Sequence, residues 1–273
     1  MEFLEYCKRK NPEMLVKTEQ SETFVFEENN KKIICKRFQH PKSRQKEEMA
    51  QRYLMEKNII MVPRLTFSGE DFLEMEFIEK LREPSNEEII RNISNLYKET
   101  LDNPPTRLFQ TVDLSKEKIF HRLSYLVEEF DKSKVNEEGI LMESEVFVKK
   151  KYDASPHICL VHGDLKSIHC IPSEKGLFFV DFGLTGIASP WYDLAFLYLE
   201  KKDKTGLLED LAKNAYGYLS EKLKVNEEES LEYLKSGVFY RCLYNLGFAL
   251  RHRPIKIIER TKKELKEILQ TNI

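Results

Sequence analysis

Cysteine is sparse and scattered. The five residues (Cys7, Cys35, Cys159, Cys170, Cys242) are odd in number and form no CxxC pair. That pattern excludes a disulfide framework and a clustered zinc site, and it fits reduced thiols in a cytosol. Long apolar runs are also missing: Gly176-Leu177-Phe178-Phe179-Val180 is far shorter than the roughly 20 residues that cross a bilayer. The opening Met1-Glu2-Phe3-Leu4-Glu5 has acids where a secretory signal needs a basic start and an apolar stretch. Neither charge dominates. Lys+Arg 44 against Asp+Glu 46 leave a net charge of −2, which gives no whole-molecule field to draw the chain onto nucleic acid or anionic membrane. No Gly/Ser/Pro-rich linker and no fixed-period repeat is visible. The expectation is a cytoplasmic protein with no membrane span and no nucleic-acid partner.

What is present is enough for a large core: 273 residues, 41% of them apolar and 11% aromatic, sufficient for one large domain or two lobes. The first quarter reads as β-rich. Thr23 to Glu27 and Lys32 to Phe38 flank the turn signal Asn29-Asn30 as a hairpin. Ser43 through Lys57 lacks Gly and Pro and places Ala50, Tyr53 and Leu54 at helical spacing. Strands are expected at Arg64 to Phe67 and Phe72 to Phe77. Beyond residue 80 the pattern turns to long helices, at Glu87 to Leu101, Ser115 (as N-cap) to Phe130 and Ile140 to Tyr152. A compact β interruption follows: Ile158 to Val161, Cys170 to Pro172 and Leu177 to Val180. Helices then return at Tyr192 to Glu200, Leu207 to Leu223, Glu227 to Leu250 and Ile257 to Leu269. The reading is an α+β chain with a small β-rich lobe with one helix, residues 1–79, and a larger helical lobe, residues 80–273.

The chemistry concentrates between residues 161 and 193. The run is Val161-His162-Gly163-Asp164-Leu165-Lys166-Ser167-Ile168-His169, then Val180-Asp181-Phe182-Gly183, then Trp191-Tyr192-Asp193-Leu194-Ala195. Phosphoryl transfer needs an acid to orient an acceptor hydroxyl and take its proton, and hard oxygen ligands for the magnesium on the phosphates. Asp164 and Asp181 stand seventeen residues apart across an apolar hairpin, which returns the chain to the same edge of a cleft. Turn aspartates at strand ends are common, but two of them in full motifs, each behind an apolar strand, are not.

With these motifs the chain resembles the protein-kinase-like superfamily, in its aminoglycoside phosphotransferase and choline kinase-like branch. His162-Gly163-Asp164-Leu165 is similar to that branch's HGDL, where protein kinases usually carry HRD, and Asp193-Leu194-Ala195 resembles its downstream DLA. Gly163 replaces the arginine that grips a phosphorylated activation loop. Only eleven residues lie between Asp181 and Asp193, with no Ala-Pro-Glu after them, too few for a peptide platform. The resemblance implies ATP with Mg2+ as cofactors, Asp164 as catalytic acid–base residue, Lys166 near the γ-phosphate and Asp181 on the metal. It implies Lys36 on the α/β-phosphates with a helix carboxylate as its partner, and backbone groups of Glu76 and Ile78 at adenine. Glu47, on the helical face of Ala50 and Leu54, is preferred to Glu48 for that partner, and Arg37 should alternate to the opposite face from Lys36.

Two departures stand out. The phosphate-covering segment, Thr18-Glu19-Gln20-Ser21-Glu22-Thr23, has no glycine, so a Ser21 hydroxyl or amide would have to serve while Glu19 and Glu22 repel. The superfamily's metal-binding asparagine, five residues after the catalytic aspartate, is His169, a ligand that suits Mn2+ better than Mg2+; a loop-bracing histidine is the alternative. The implied activity is transfer of the ATP γ-phosphate to a hydroxyl of a small molecule, sugar-like or an amino alcohol. The alternatives are an atypical protein kinase or ATPase of the tRNA-modification-complex type, and a pseudokinase acting as a binding module. From Lys201 to Ile273, 15 Lys+Arg face 11 Asp+Glu, which favours an anionic or neutral acceptor over a polycation.

Overall fold

The computed structural model describes residues 2–7, 12–18, 20–137 and 139–270; Glu19 lies outside them. Contacts within the chain divide it into two compact units, Met1–Phe109 with His162–Gly186, and Gln110–Val161 with Ile187–Ile273. Specific contacts hold the returning segment in the first unit. The Phe179 amide donates to the Met61 carbonyl at 2.9 Å and the Leu81 amide to the Pro172 carbonyl at 3.0 Å. Residues up to 109 stay there too, with the Phe109 ring packed edge-on to Tyr53.

The first unit is built on a five-stranded antiparallel sheet in the order β1-β2-β3-β5-β4. Its strands are β1 (Glu13–Lys17), β2 (Ser21–Glu28), β3 (Lys31–Phe38), β4 (Leu65–Ser68) and β5 (Phe72–Glu76). The β2–β3 turn is Asn29-Asn30, both at positive φ (52° and 60°), the left-handed geometry that asparagine tolerates. Because strand side chains alternate, the sheet has two distinct faces. On one, Phe24, Phe26, Cys35 and Phe72 join Phe3 and Tyr6 of a short helix α1 (Phe3–Cys7) in a buried cluster. The other carries Lys36, with Thr23 and Leu73 as its cross-strand neighbours. Helix α2 (Pro41–Lys57) buries Glu47, Ala50, Gln51 and Leu54 on one stripe and stops at Asn58 in the left-handed region. Helix α3 (Asn86–Leu101) starts at Ser85, whose hydroxyl accepts the Glu88 amide.

The second unit is mainly helical: α4 (Lys116–Ser133), α5 (Ile140–Lys150), α6 (Pro190–Glu200), α7 (Leu207–Leu223), α8 (Glu227–His252) and α9 (Ile255–Gln270). Ser115 caps α4, and Asn226 with Glu229 forms a capping box on α8. Helix α6 is buried along nearly its whole length, and Gly237 of α8 explains how: a Cβ there would lie 2.6 Å from the Trp191 carbonyl oxygen. The strands β6 (Cys159–Val161) and β9 (Gly186–Ala188) pair with each other, as do β7 (Cys170–Ser173) and β8 (Gly176–Phe179). None of the five cysteines is in a disulfide. Among the described residues no helix is long and apolar enough to cross a membrane.

Candidate active site

The predicted site residues on the first unit converge. Lys36, on β3, is 8% exposed, and its Nζ donates to both Glu47 oxygens, at 2.7 and 3.0 Å, and to Asp181 Oδ1 at 2.8 Å. Arg37 projects to the opposite face, where it pairs with Glu22 and Asp71. The partner of Lys36 is thus Glu47; Glu48 is held by Arg44 and Arg52. Burial works against the Lys36 charge, but Glu47 and Asp181 outweigh it and keep the ammonium above its ordinary value. Burial likewise lifts the Glu47 carboxyl to about 6, with Lys36 opposing, so the pair is charged at neutral pH. Asp181, which burial would raise, is held down at about 2 by the Lys36 ammonium and the His169 ring.

Asp181 sits at φ 67°, ψ 62°, a left-handed conformation that aspartate adopts more readily than most residues but at a cost. Gly163 is also forced: its φ is 86°, and a Cβ there would lie 2.0 Å from the Leu184 carbonyl oxygen. The turn around Asp164 and the turn after Asp181 are therefore pressed together. His162 ties them. Its Nε2–H donates to the Val180 carbonyl at 2.9 Å while Nδ1 accepts the Asp164 amide at 3.4 Å.

Asp164 is gripped by Lys166, whose Nζ lies 2.7 Å from Oδ1 and 2.8 Å from Oδ2. His169 Nδ1 is 2.8 Å from the Asp164 carbonyl oxygen. A carbonyl can only accept, so this nitrogen is the donor and the neutral ring keeps its lone pair on Nε2. Nε2 lies 3.6 Å from Asp181 Oδ2. A backbone carbonyl that fixes a tautomer while the other nitrogen faces a carboxylate is a familiar outer contact of metal-binding histidines. Among the described residues no group of three His, Cys, Asp or Glu side chains could hold a metal alone. Two donors fit magnesium or manganese that takes its remaining ligands from phosphate and water.

The adenine and phosphate-covering positions come out differently. The Glu76 amide donates to the Arg64 carbonyl at 2.9 Å, so it is not open to a base, and its carboxylate lies 3.3 Å from Lys175. Ile78 is half-buried and, with Phe77, Leu81 and Phe178, lines a cavity of 150 Å³. The Ser21 amide donates to Thr18 Oγ1 at 3.0 Å, and the Thr18 amide to the Ser21 carbonyl at 2.8 Å; that turn satisfies itself. Glu22 is paired with Lys17 and Arg37, which hold its carboxyl below the usual range and offset its negative charge.

The sequence reading missed α1, β1 and β9. It also missed the double role of His162, whose only sequence signal was its place in the HGD motif.

The α+β fold is similar to that of solved small-molecule phosphotransferases and kinases, and part of the chain matches a phosphotransferase family model. Residues 104–224 match the model of the phosphotransferase enzyme family (APH). Among solved structures, the GDP and kanamycin complex of APH(2″)-IIIa is similar over 96% of this chain and 94% of that one, at 17% identity and a TM-score of 0.70. Choline kinase from Cryptosporidium parvum Iowa II covers 95% of this chain and 88% of its own at 12% identity and TM-score 0.68. The macrolide 2′-phosphotransferase MphH from Brachybacterium faecium gives 93%, 91%, 11% and 0.66. A search of curated proteins returned no match.

Proposed function

We propose that the protein transfers the γ-phosphate of ATP to a hydroxyl group of a small molecule. The observation that supports this best is the Lys36 ammonium bound at once by Glu47 and Asp181, beside an Asp164 carboxylate steadied by Lys166. Lys36 is charged and fixed by Glu47, ready to hold the α/β-phosphates. Asp164 orients the acceptor hydroxyl and takes its proton as the oxygen attacks, a role for which the Lys166 contact fixes the carboxylate's plane. Lys166 also places positive charge beside the moving phosphoryl group. Asp181 and His169 Nε2 would hold magnesium or manganese, which when bound neutralises phosphate charge. The chain's own contribution is geometry: His162 and Gly163 hold the Asp164 turn against the Asp181 turn.

The aminoglycoside phosphotransferase carries GDP and kanamycin, and the other two neighbours are a choline kinase and a macrolide 2′-phosphotransferase, which supports a hydroxyl-bearing small molecule as acceptor. An intact Lys36–Glu47 pair argues against a pseudokinase. The test is a screen of sugars, amino alcohols and nucleosides for ADP or GDP release, with ATP and GTP and with magnesium and manganese. Acceptor-dependent release is the expected result, with manganese preferred and that preference lost in His169→Asn. No release with any acceptor, alongside no nucleotide binding, would leave a scaffold instead.

A further inference from the structure

Within the second unit, α4, α8 and the Val112-Asp113 segment before α4 line an open cavity of 440 Å³ that shares no residue with the site above. From α4 come Lys118, Arg122 and Tyr125, at the i, i+4, i+7 spacing of one helix face; from α8 come Tyr240 and Arg251. The two guanidinium groups are stacked on tyrosines of the opposite helix. Arg122 lies 4.5 Å from the Tyr244 ring centroid and Arg251 lies 4.3 Å from that of Tyr125. Stacking fixes the plane of a guanidinium and leaves its N–H edge for a forked contact with a carboxylate or phosphate.

The charge in the wall is one-sided. Three permanent cations, Lys118, Arg122 and Arg251, face one acid, Asp113, whose carboxylate already accepts the Ser115 amide at 2.9 Å. Glu129, outside the lining, takes the Arg251 Nε at 3.1 Å and is shared with Lys132. A second observation points the same way: Arg122 Nε and the Tyr125 hydroxyl are both buried without a hydrogen-bond partner. Unsatisfied buried polar groups are costly, and two of them in the wall of one cationic cavity call for an anionic oxygen.

We propose that this cavity binds a small molecule carrying a phosphate or carboxylate group, gripped by Arg122 and Arg251 and hydrogen-bonded by Tyr125. Polycations are excluded from it by like charge. The assignment stands independently of the phosphotransferase reading. If that reading holds, the anion belongs either to the acceptor or to a separate effector.

Calorimetry without nucleotide at low ionic strength tests it, with inorganic phosphate, glucose 6-phosphate and gluconate as probes and glucose and kanamycin as controls. At least one anion should bind, more weakly at high salt and roughly tenfold or more weaker in Arg122→Gln and in Arg251→Gln, while the controls stay unbound. Absence of binding by every anion, or affinity unchanged in both variants, overturns the proposal. If the arginine variants do not fold, exposed Lys118 decides: several-fold weaker binding in Lys118→Gln supports the site, and unchanged affinity refutes it. An anion consumed with ADP release is the acceptor; one recovered unchanged is an effector. Anion binding with no ADP release under any condition would sink the phosphotransferase reading alone.

Discussion

His162 is fully buried, and each ring nitrogen has one partner that suits only the neutral ring. Burial, reinforced by the nearby His169, pushes its pKa down from 6.5 to about 4. A depressed base binds fewer protons folded than unfolded, so its stabilisation is complete above pH 6.5 and is lost as pH falls toward 4. The loss is about 3 kcal/mol. Urea unfolding at pH 7 and pH 4.5 should therefore show a fall in stability that His162→Gln reduces by that order. An unreduced fall would place the titration elsewhere. Residue identities along helix α2 and strand β3 were legible because periodicity decides them: Glu47 shares the buried stripe of Ala50 and Leu54, and Arg37 alternates away from Lys36. The orientation of His169 was not legible, since a ring's tautomer is set by a carbonyl that no spacing reveals. Nor was the engagement of the Ser21 and Glu76 amides, which depends on turn and strand partners.

Helix α1 has five residues and no sequence signal strong enough to mark it, yet it roofs the sheet face opposite Lys36. Its Tyr6 hydroxyl bonds the Glu74 carboxylate, which is 8% exposed and is also bonded by Thr66 at 2.6 Å. Tyr6→Phe removes one partner of a buried charge and should cost about 1–3 kcal/mol in urea unfolding. Unchanged stability would make α1 a surface appendage. Strand β1 escaped notice for a related reason: all five of its residues are exposed, so there is no apolar alternation to read. Helices with caps were legible almost to the residue. Ser115 caps α4 as its position suggested, and α8, behind the Asn226 capping box, starts at Glu227 as read.

For the whole molecule, composition and period indicated a β-rich part and a helical part, but not that residues 162–186 pack into the first unit after an excursion of about fifty residues through the second. Such a return is fixed by long-range pairing, here Met61 with Phe179, which leaves no local trace. It does place every catalytic candidate in one unit. That concentration has a thermodynamic consequence: a nucleotide with magnesium should bind and stabilise the fold by mass action. The melting temperature should rise with ATP and magnesium together, and the rise should vanish in Asp181→Ala. A full rise in that variant would move the metal position. The most direct test of the central claim is turnover by Asp164→Asn on whichever acceptor the wild-type protein phosphorylates, with ATP affinity measured on the same preparation. The predicted result is unchanged ATP affinity and turnover lowered by roughly 10²–10⁴-fold; full turnover by Asp164→Asn would contradict the phosphotransfer assignment.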